Sequence, residues 1–421
     1  MPFKTVALPR MRYVVLAVIG IFGVPWAPAT PKTAMSAVPA QSANTLYSEA
    51  SRRFNSKRTH GSFGNHVYRL KRLSQYTPSD WQLRQKWLLP TGQPFPKGLE
   101  DPSALKSIEE ARWDREQFRG ELATLQKGLT LPFYVANYEV LSGQYIGVRE
   151  LARLSARDGN LKQLDGDYSG ALTAYLDAYA LGMQMYQGRT LLSGMIGVLC
   201  EGIAMAPAER TVTHLTAAQA RAAATRLESL MARRMALEQV LANELATTQE
   251  QLRYYADPRA QEQFWGRIPL VRITNEALIQ RYQQVMEQYR TEAAQPFQRF
   301  RTGNEFYPNP YDPLMILAAQ NVPNVIRAST TYTWRTVVAR RLMLKLALHA
   351  WQKEHHGLFP PRLSELVTEG YLKALPADAF STSGHDDFRY DPATGKLWSV
   401  GWDGVDQHGA GDDPAGTLFG A

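Results

Sequence analysis

The chain has 421 residues, with 47 Lys and Arg against 39 Asp and Glu, and a formal net charge of +8 at pH 7. Four of the basic residues precede residue 41 with no acidic residue among them, so a chain without that segment carries +4 (8 − 4). This small surplus removes the charge-based argument for nucleic-acid binding. The single cysteine, Cys200, excludes an intramolecular disulfide, and its apolar neighbours predict a small buried residue.

The N-terminus has the layout of an export signal. Three basic residues open the chain, namely Lys4, Arg10 and Arg12. They precede an uncharged run at 13–24, which as a helix would span about 18 Å, short of the ~30 Å hydrocarbon core of a bilayer. Small residues would permit cleavage after Ala29 or Ala40. We therefore expect 1–40 to be a signal peptide and linker, or alternatively an uncleaved anchor, and the protein to be periplasmic or associated with the cell envelope.

A basic segment follows the predicted signal. Between residues 50 and 79 there is no acidic residue but seven basic ones: Arg52, Arg53, Lys57, Arg58, Arg69, Lys71 and Arg72. Such a segment can bind an anionic surface, for example lipid head groups or a wall polymer. The alternative is a flank that only faces water, which is the usual fate of a charge run.

The middle of the chain predicts an irregular α-helical bundle over 41–310. Apolar residues recur at three- and four-residue spacing in five segments: 107–128, 134–157, 167–188, 190–210 and 216–255. Thr216 and Gln219 have the spacing of a capping box, which places the start of the last and longest helix. The apolar run 191–206 contains Glu201 and is short for a membrane span, so it predicts a core helix.

One helical hairpin near 147–210 resembles part of a tetratricopeptide repeat. The resemblance rests on the turn Gly166-Asp167-Tyr168 and on small Ala residues at 171, 174, 178 and 180. The pattern does not recur 34 residues later, at Cys200. A single hairpin, and no peptide-binding solenoid, is the resulting prediction.

A proline-rich segment at 306–313 predicts a boundary, after which the pattern changes to a small α+β module at 325–421. A helix over 325–355 is expected to end at Gly357. Strands at 388–390 and 396–400 are expected to form an antiparallel meander. The predicted fold class is therefore mainly α, with a bundle followed by a long helix and a small sheet.

Four phrases punctuate this module: His356-Gly357-Leu358-Phe359-Pro360, Leu375-Pro376-Ala377-Asp378, Phe388-Arg389-Tyr390-Asp391-Pro392 and Ser399-Val400-Gly401-Trp402-Asp403-Gly404. Their order resembles the globular domain of the type II secretion major pseudopilin. The chain departs from that family because no Gly-Phe processing junction leads into a hydrophobic assembly helix. A filament subunit is therefore not expected. The whole chain resembles an exported bacterial protein to which such a module has been fused.

The pseudopilin resemblance implies a structural Ca²⁺ site in the last loop. Its candidate ligands are Ser399, Asp403, Asp406, Asp412 and Asp413. Calcium requires several oxygen ligands at once, and clustered Asp residues on a Gly-rich loop can supply them. The alternative is an acidic tail that is only solvated.

No catalytic motif is present: the sequence lacks Gly-x-Ser-x-Gly, His-Glu-x-x-His, a phosphate loop and a dinucleotide fingerprint. No catalytic or cofactor-binding residue is therefore assigned. The sequence favours an exported envelope protein that acts by interaction or as a scaffold, with a connection to secretion. The alternative is an exported α-helical enzyme whose site is assembled from scattered residues.

Overall fold

The computed structural model describes residues 42–57, 112, 115–133, 142–188, 190–256, 270–302 and 325–410. All of them belong to one compact unit, Pro39–Ala421. Several predictions concern residues outside the described part of the chain. They are the signal segment, the basic residues Arg58, Arg69, Lys71 and Arg72, the boundary at 306–313, and Asp412 with Asp413. The described part is mainly helical with one small antiparallel sheet, which confirms the predicted fold class.

The described helices and strands follow in chain order. They are α1 Ala43–Lys57, α2 Arg119–Leu129, α3 Ser142–Leu164, α4 Tyr168–Met185, α5 Leu191–Thr211, α6 Ala217–Met231, α7 Leu237–Ala256, α8 Leu270–Ala293, α9 Phe297–Thr302, α10 Val325–Glu354, α11 Glu365–Thr368, β1 Arg389–Asp391 and β2 Lys396–Trp398. A single 3-10 turn, Val212–His214, follows α5.

Helices α3 and α4 form the predicted hairpin. Gly166 turns the chain with a φ of +84°, and the side chain of Asp167 accepts from the Gly170 backbone N–H at 2.8 Å, which caps α4. The Tyr175 hydroxyl of α4 bonds to Asn160 of α3 at 2.7 Å, so a buried polar contact fixes the two helices against each other.

Helices α4 and α5 approach closely at two glycines. A Cβ added to Gly182 would lie 2.8 Å from the carbonyl oxygen of Gly197, and one added to Gly197 would lie 2.7 Å from that of Gly182. Glycine removes this obstacle, so the two backbones are in direct contact. Cys200 is fully buried near this crossing, as predicted, and burial raises the pKa of its thiol to about 12.

Helix α5 has 21 residues, longer than its apolar run suggests. Among the described residues, the stretch Leu191–His214 is the one helical segment long and apolar enough to cross a membrane. However, 61% of its most apolar window is buried inside the bundle, as in a core helix. The burial of this helix, and not its length, therefore indicates that it is a core helix.

The prediction of one long helix over 216–255 was wrong. The capping box of Thr216 and Gln219 is present, but the helix ends at Met231 and α7 begins at Leu237. The interruption carries Arg234, whose side chain is 6% exposed and turns into the interior. A continuous helix follows the apolar periodicity of the sequence, whereas in the structure Arg234 lies in the interruption and pairs with Glu201.

Helix α10 runs parallel to α5. Arg341 bonds to Glu209 at 3.2 Å and His349 bonds to the Leu215 carbonyl at 3.0 Å, and these partners lie 132 and 134 residues apart in the chain. Two helices that run parallel keep a nearly constant difference in residue number between contacting partners. The helix ends as predicted, where the φ of Gly357 is +90° and its N–H bonds to the Gln352 carbonyl at 2.8 Å.

The C-terminal sheet consists of β1 and β2, paired antiparallel with Arg389 opposite Trp398. Asp391 closes the predicted turn, because its carbonyl accepts from the Gly395 N–H at 2.8 Å and its carboxylate from the Thr394 hydroxyl at 2.6 Å. β1 has the predicted length but begins one residue later, and β2 ends at Trp398 and not at Val400. The short helix α11 precedes the sheet.

One hydrophobic core extends through the described helices on both sides of the predicted boundary. It includes Tyr179 and Leu227 of the bundle as well as Leu342, Leu366 and Phe380 of the later part. The boundary itself lies outside the described residues, so the division into domains at 41–310 and 325–421 stays a prediction.

Candidate functional site

The predicted calcium ligand Ser399 is fully buried and bonds within the module. Its hydroxyl donates to Asp378 at 2.8 Å, and the same carboxylate accepts from the backbone N–H groups of Val400 at 2.9 Å and Phe380 at 3.0 Å. Burial raises the pKa of Asp378, and these hydrogen bonds partly offset that rise. Asp378 therefore joins the end of β2 to the turn that precedes β1.

The other two described candidates accept hydrogen bonds from their own loop. Asp403 accepts from the Val405 N–H at 2.8 Å and from the Gln407 amide at 3.2 Å. Asp406 accepts from the Trp398 indole at 2.8 Å, a bond that lowers the pKa of this carboxyl. The described residues contain no group of three or more His, Cys, Asp or Glu that could hold a metal ion. Convergence on an ion would therefore need Asp412 or Asp413, and the calcium site stays a prediction.

The predicted anionic-surface contact is only partly described. The side chains of Arg52 and Arg53 are exposed on α1, and Arg53 donates to Thr124 of α2 at 2.9 Å. The side chain of Lys57 and the residues Arg58, Arg69, Lys71 and Arg72 lie outside the described part of the chain. The contact with an anionic surface stays a prediction.

A buried charged cluster around Glu201 is the most perturbed site in the described structure. Glu201 of α5 is 0% exposed, and one of its oxygens lies 3.2 Å from the guanidinium of Arg234. The same oxygen accepts from the hydroxyl of Tyr186, the C-cap residue of α4. Burial raises the pKa of Glu201, and the charge of Arg234 offsets part of that rise.

Arg234 connects this carboxylate to α10. Its guanidinium donates to the Thr336 hydroxyl at 2.5 Å and to the Tyr332 carbonyl at 3.3 Å, and it lies 4.0 Å from the centre of the Tyr332 ring. The contact with the ring adds a cation–π interaction to the ion pair. Four segments therefore meet at one buried pair: α4, α5, α10 and the link between α6 and α7.

Four polar atoms in or beside the pair remain without a hydrogen-bond partner in the described part of the chain. They are the second oxygen of Glu201, the hydroxyl of Tyr179 and the Nε atoms of Arg234 and Arg335. Tyr179 is fully buried, and burial raises the pKa of its hydroxyl, an effect that the nearby Glu201 increases. The arrangement can hold a proton or an internal water, but its groups mainly bond to one another.

Two further ionic contacts attach α10 to the bundle. Glu209 of α5 pairs with Arg341 at 3.2 Å and with Lys345. Burial would raise the pKa of Glu209, but these two cations lower it overall. Near the end of α10, Glu354 pairs with Arg221 of α6 and accepts from the Tyr371 hydroxyl at 2.6 Å.

Sequence reasoning did not find the role of Glu201. It treated the residue as an interruption of an apolar run, although an acid fully surrounded by apolar residues needs a buried cation. That requirement was the available signal. The identity of the cation was not available, because Arg234 was assigned to the middle of a continuous helix. The role of Glu244 was not predicted either. Its carboxylate accepts from the Leu191 N–H at 2.6 Å and so caps α5.

Comparison with known proteins adds no family to this geometry: no family model, curated protein or solved structure matches the chain.

Proposed function

We propose that the protein is an exported cell-envelope protein that acts by interaction, as a binding module or a scaffold. The observation that carries the proposal is that charged side chains pair between helices, one of them, Glu201, fully buried. Glu201, Glu209 and Glu354 each pair with an arginine from another segment and so hold helices together. The C-terminal resemblance favours secretion as the process that this scaffold serves.

Catalysis would use such groups differently. A general acid or base must reach a bound substrate, within about 3 Å or through one water. Glu201 is 0% exposed and one of its oxygens already has two partners. This occupancy fits a group that fixes helices better than a group that exchanges protons with a substrate.

Export can be tested first. The full chain is expressed in a Gram-negative host, the cells are fractionated, and the N-terminus of the recovered protein is sequenced. We expect a periplasmic or envelope fraction and a start near Thr30 or Gln41. Recovery of intact Met1 from the cytoplasmic fraction would contradict export.

Interaction needs a separate experiment. The chain is cross-linked in intact cells of its source and purified from the envelope, and the products are identified by mass spectrometry. We expect one partner, or a second copy of the chain, in a fixed ratio. A chain that remains uncross-linked under conditions that link a known envelope complex would count against the scaffold.

The enzyme alternative is supported by one observation, the raised pKa values of Glu201 and Tyr179 in one buried cluster. An activity found in the purified chain would favour it only under one condition. Tyr179→Phe must abolish that activity while the melting temperature is unchanged, since this substitution removes only an unbonded hydroxyl.

Calcium is the proposed structural ligand of the C-terminal loop, with Ser399, Asp403, Asp406, Asp412 and Asp413 as its oxygen donors. We expect millimolar Ca²⁺ to raise the melting temperature of the full chain, because a ligand that binds only the folded state stabilises it by mass action. Asp403→Ala should remove most of the rise, whereas Asp387→Ala, an exposed residue outside the loop, should retain it. A melting temperature indifferent to both Ca²⁺ and chelator would leave only a solvated acidic loop.

A further inference from the structure

Helix α5 exposes an apolar stripe at the edge of the core. Leu192 and Leu199 are 50% and 45% exposed, and Met195 and Ile196 between them are only partly buried. Their spacing, i, i+3, i+4 and i+7, places all four on one side of a helix. We call these four residues the α5 stripe.

An arginine that makes no hydrogen bond to the described residues lies beside one end of the stripe. The guanidinium of Arg335 covers Gly202, since a Cβ on that glycine would lie 2.5 Å from its Nη2 and 2.7 Å from its Cζ. Its Nε is buried and has no hydrogen-bond partner, and no ion pair to another described side chain is present. Gly202 follows Leu199 by three residues, so the guanidinium lies next to the stripe on the same helix face.

Arg335 shares with Arg234 the acid whose charge acts on it, Glu201. Glu201 pairs with Arg234 at 3.2 Å and accepts from Tyr186, so one carboxylate faces two guanidinium groups. Burial lowers the pKa of Arg335, which reflects the cost of keeping this cation in a partly desolvated position. A guanidinium with free donors in such a position is a strong site for an added carboxylate.

We propose that the α5 stripe and Arg335 together dock a protein segment that carries apolar side chains and, next to them, an acidic side chain. The apolar side chains cover Leu192 and Leu199, and the carboxylate bonds to Arg335. This inference rests on the proposed interaction function and names the chemistry of its partner. The charge complementarity of one unpaired cation at the end of an apolar surface is what selects an acidic segment over a neutral one.

The test is a selection from a library of random 12-residue peptides displayed against the immobilised full chain. We expect the enriched peptides to combine apolar residues at helical spacing with Asp or Glu. Arg335→Gln should weaken binding of a synthetic enriched peptide by about tenfold or more, the loss typical of one charged hydrogen bond. Changing the peptide's acidic residue to its amide should weaken binding to the wild-type chain by a similar factor and should have little effect on Arg335→Gln.

Two matched controls separate docking from general effects. Arg362→Gln removes the same charge from a guanidinium that is 80% exposed elsewhere, and Leu358→Ser matches Leu199→Ser at a leucine that is 71% exposed outside the stripe. We expect both controls to bind like the wild type and Leu199→Ser to bind about tenfold more weakly. Arg335→Gln should melt within about 2–4 °C of the wild type, because it breaks no hydrogen bond.

Enrichment of peptides without acidic residues, no enrichment at all, or equal binding by Arg335→Gln would overturn the inference. Peptides that bind only a variant lacking residues 303–324 would show that the chain covers its own stripe, which also overturns it. The proposed function fails separately. If in-cell cross-linking recovers the same partner with Arg335→Gln as with the wild type, only the docking surface is wrong.

Discussion

The buried charges of Glu201 and Arg234 stabilise each other. Both side chains are almost completely removed from water, at 0% and 6% exposure, so neither charge can be solvated if the other is lost. Breaking a buried pair by removing one partner typically costs about 3–5 kcal/mol, whereas replacing both can cost little. The pair therefore determines how these helices are arranged more than how stable they are.

Arg234→Met should destabilise the chain by about 3–5 kcal/mol at pH 7.5, because it leaves the carboxylate of Glu201 buried without its cation. The sign of the pH effect follows from the pKa of Glu201, which burial already raises above 4.5 and which loss of Arg234 raises further. As the pH falls through that raised pKa, the carboxylate takes up a proton and the cost disappears. Urea unfolding followed by circular dichroism should show a smaller gap to the wild type at pH 5 than at pH 7.5.

The double variant Glu201→Gln with Arg234→Met supplies the control. It should recover most of the loss at pH 7.5, since both members of the buried pair are removed together. A double variant as unstable as the sum of the two single variants would show that the residues act independently.

Asp378 is the corresponding residue in the C-terminal module. Asp378→Asn places an amide N–H₂ against at least one of three donors, from Ser399, Val400 and Phe380. We expect a loss of about 1–3 kcal/mol of unfolding free energy, the cost of a buried donor left unsatisfied. Asp387→Asn, at an exposed side chain nearby, should stay close to the wild type in the same thermal unfolding experiment.

At the scale of elements, the contact between α4 and α5 depends on the absence of two side chains. Gly182→Ala should destabilise by about 1–3 kcal/mol, because its methyl group would meet the Gly197 carbonyl and force the helices apart. Gly120→Ala in α2 is the matched change, since nothing lies within 4 Å of the added Cβ. It should stabilise by about 0.5–1 kcal/mol through helix propensity alone. Chemical denaturation of both variants measures the difference, and equal effects would contradict the close contact.

The periodic elements were predictable because their signals are local. The starts of α6 and α10, the turn before α4 and the stop at Gly357 lie where capping residues, glycine and apolar spacing place them. The break between α6 and α7 was not predictable in this way. Leu227, Leu230 and Leu237 continue the apolar pattern, and the partner of Arg234 in the interruption, Glu201, is distant in the chain.

The same limit applies to the candidate site. Sequence reasoning concentrated on clustered acids near the C-terminus, where neighbours in the chain suggest a shared ion. The described cluster instead combines Tyr186, Glu201, Arg234 and Tyr332, which come from four separate segments. Long-range pairing of this kind leaves no spacing pattern in one sequence.

At the scale of the whole molecule, α10 belongs to both the bundle and the C-terminal module. Its side chains bond to α5 and α6, and Trp334 contacts Phe380 while Trp351 contacts Tyr371. A helix packed against both parts loses buried apolar surface when either part is removed.

The fragment 325–421 should therefore melt well below the full chain, because α10 would expose the surface that α5 and α6 cover. Differential scanning calorimetry of fragment and full chain measures this directly. A fragment with the melting temperature of the full chain would instead support an independent C-terminal domain, as the sequence predicts.

The parallel course of α5 and α10 has a consequence for the order in which the molecule assembles. Their contacts join residues more than 130 positions apart, so closing them carries the loop entropy of a long intervening chain. Such non-local contacts slow folding. During synthesis from the N-terminus, α5 emerges long before α10, so the contacts of Arg234 with Thr336 and Tyr332 cannot yet form. The nascent bundle therefore passes through a stage in which its longest apolar helix is uncovered, and this is the stage at which aggregation competes with folding.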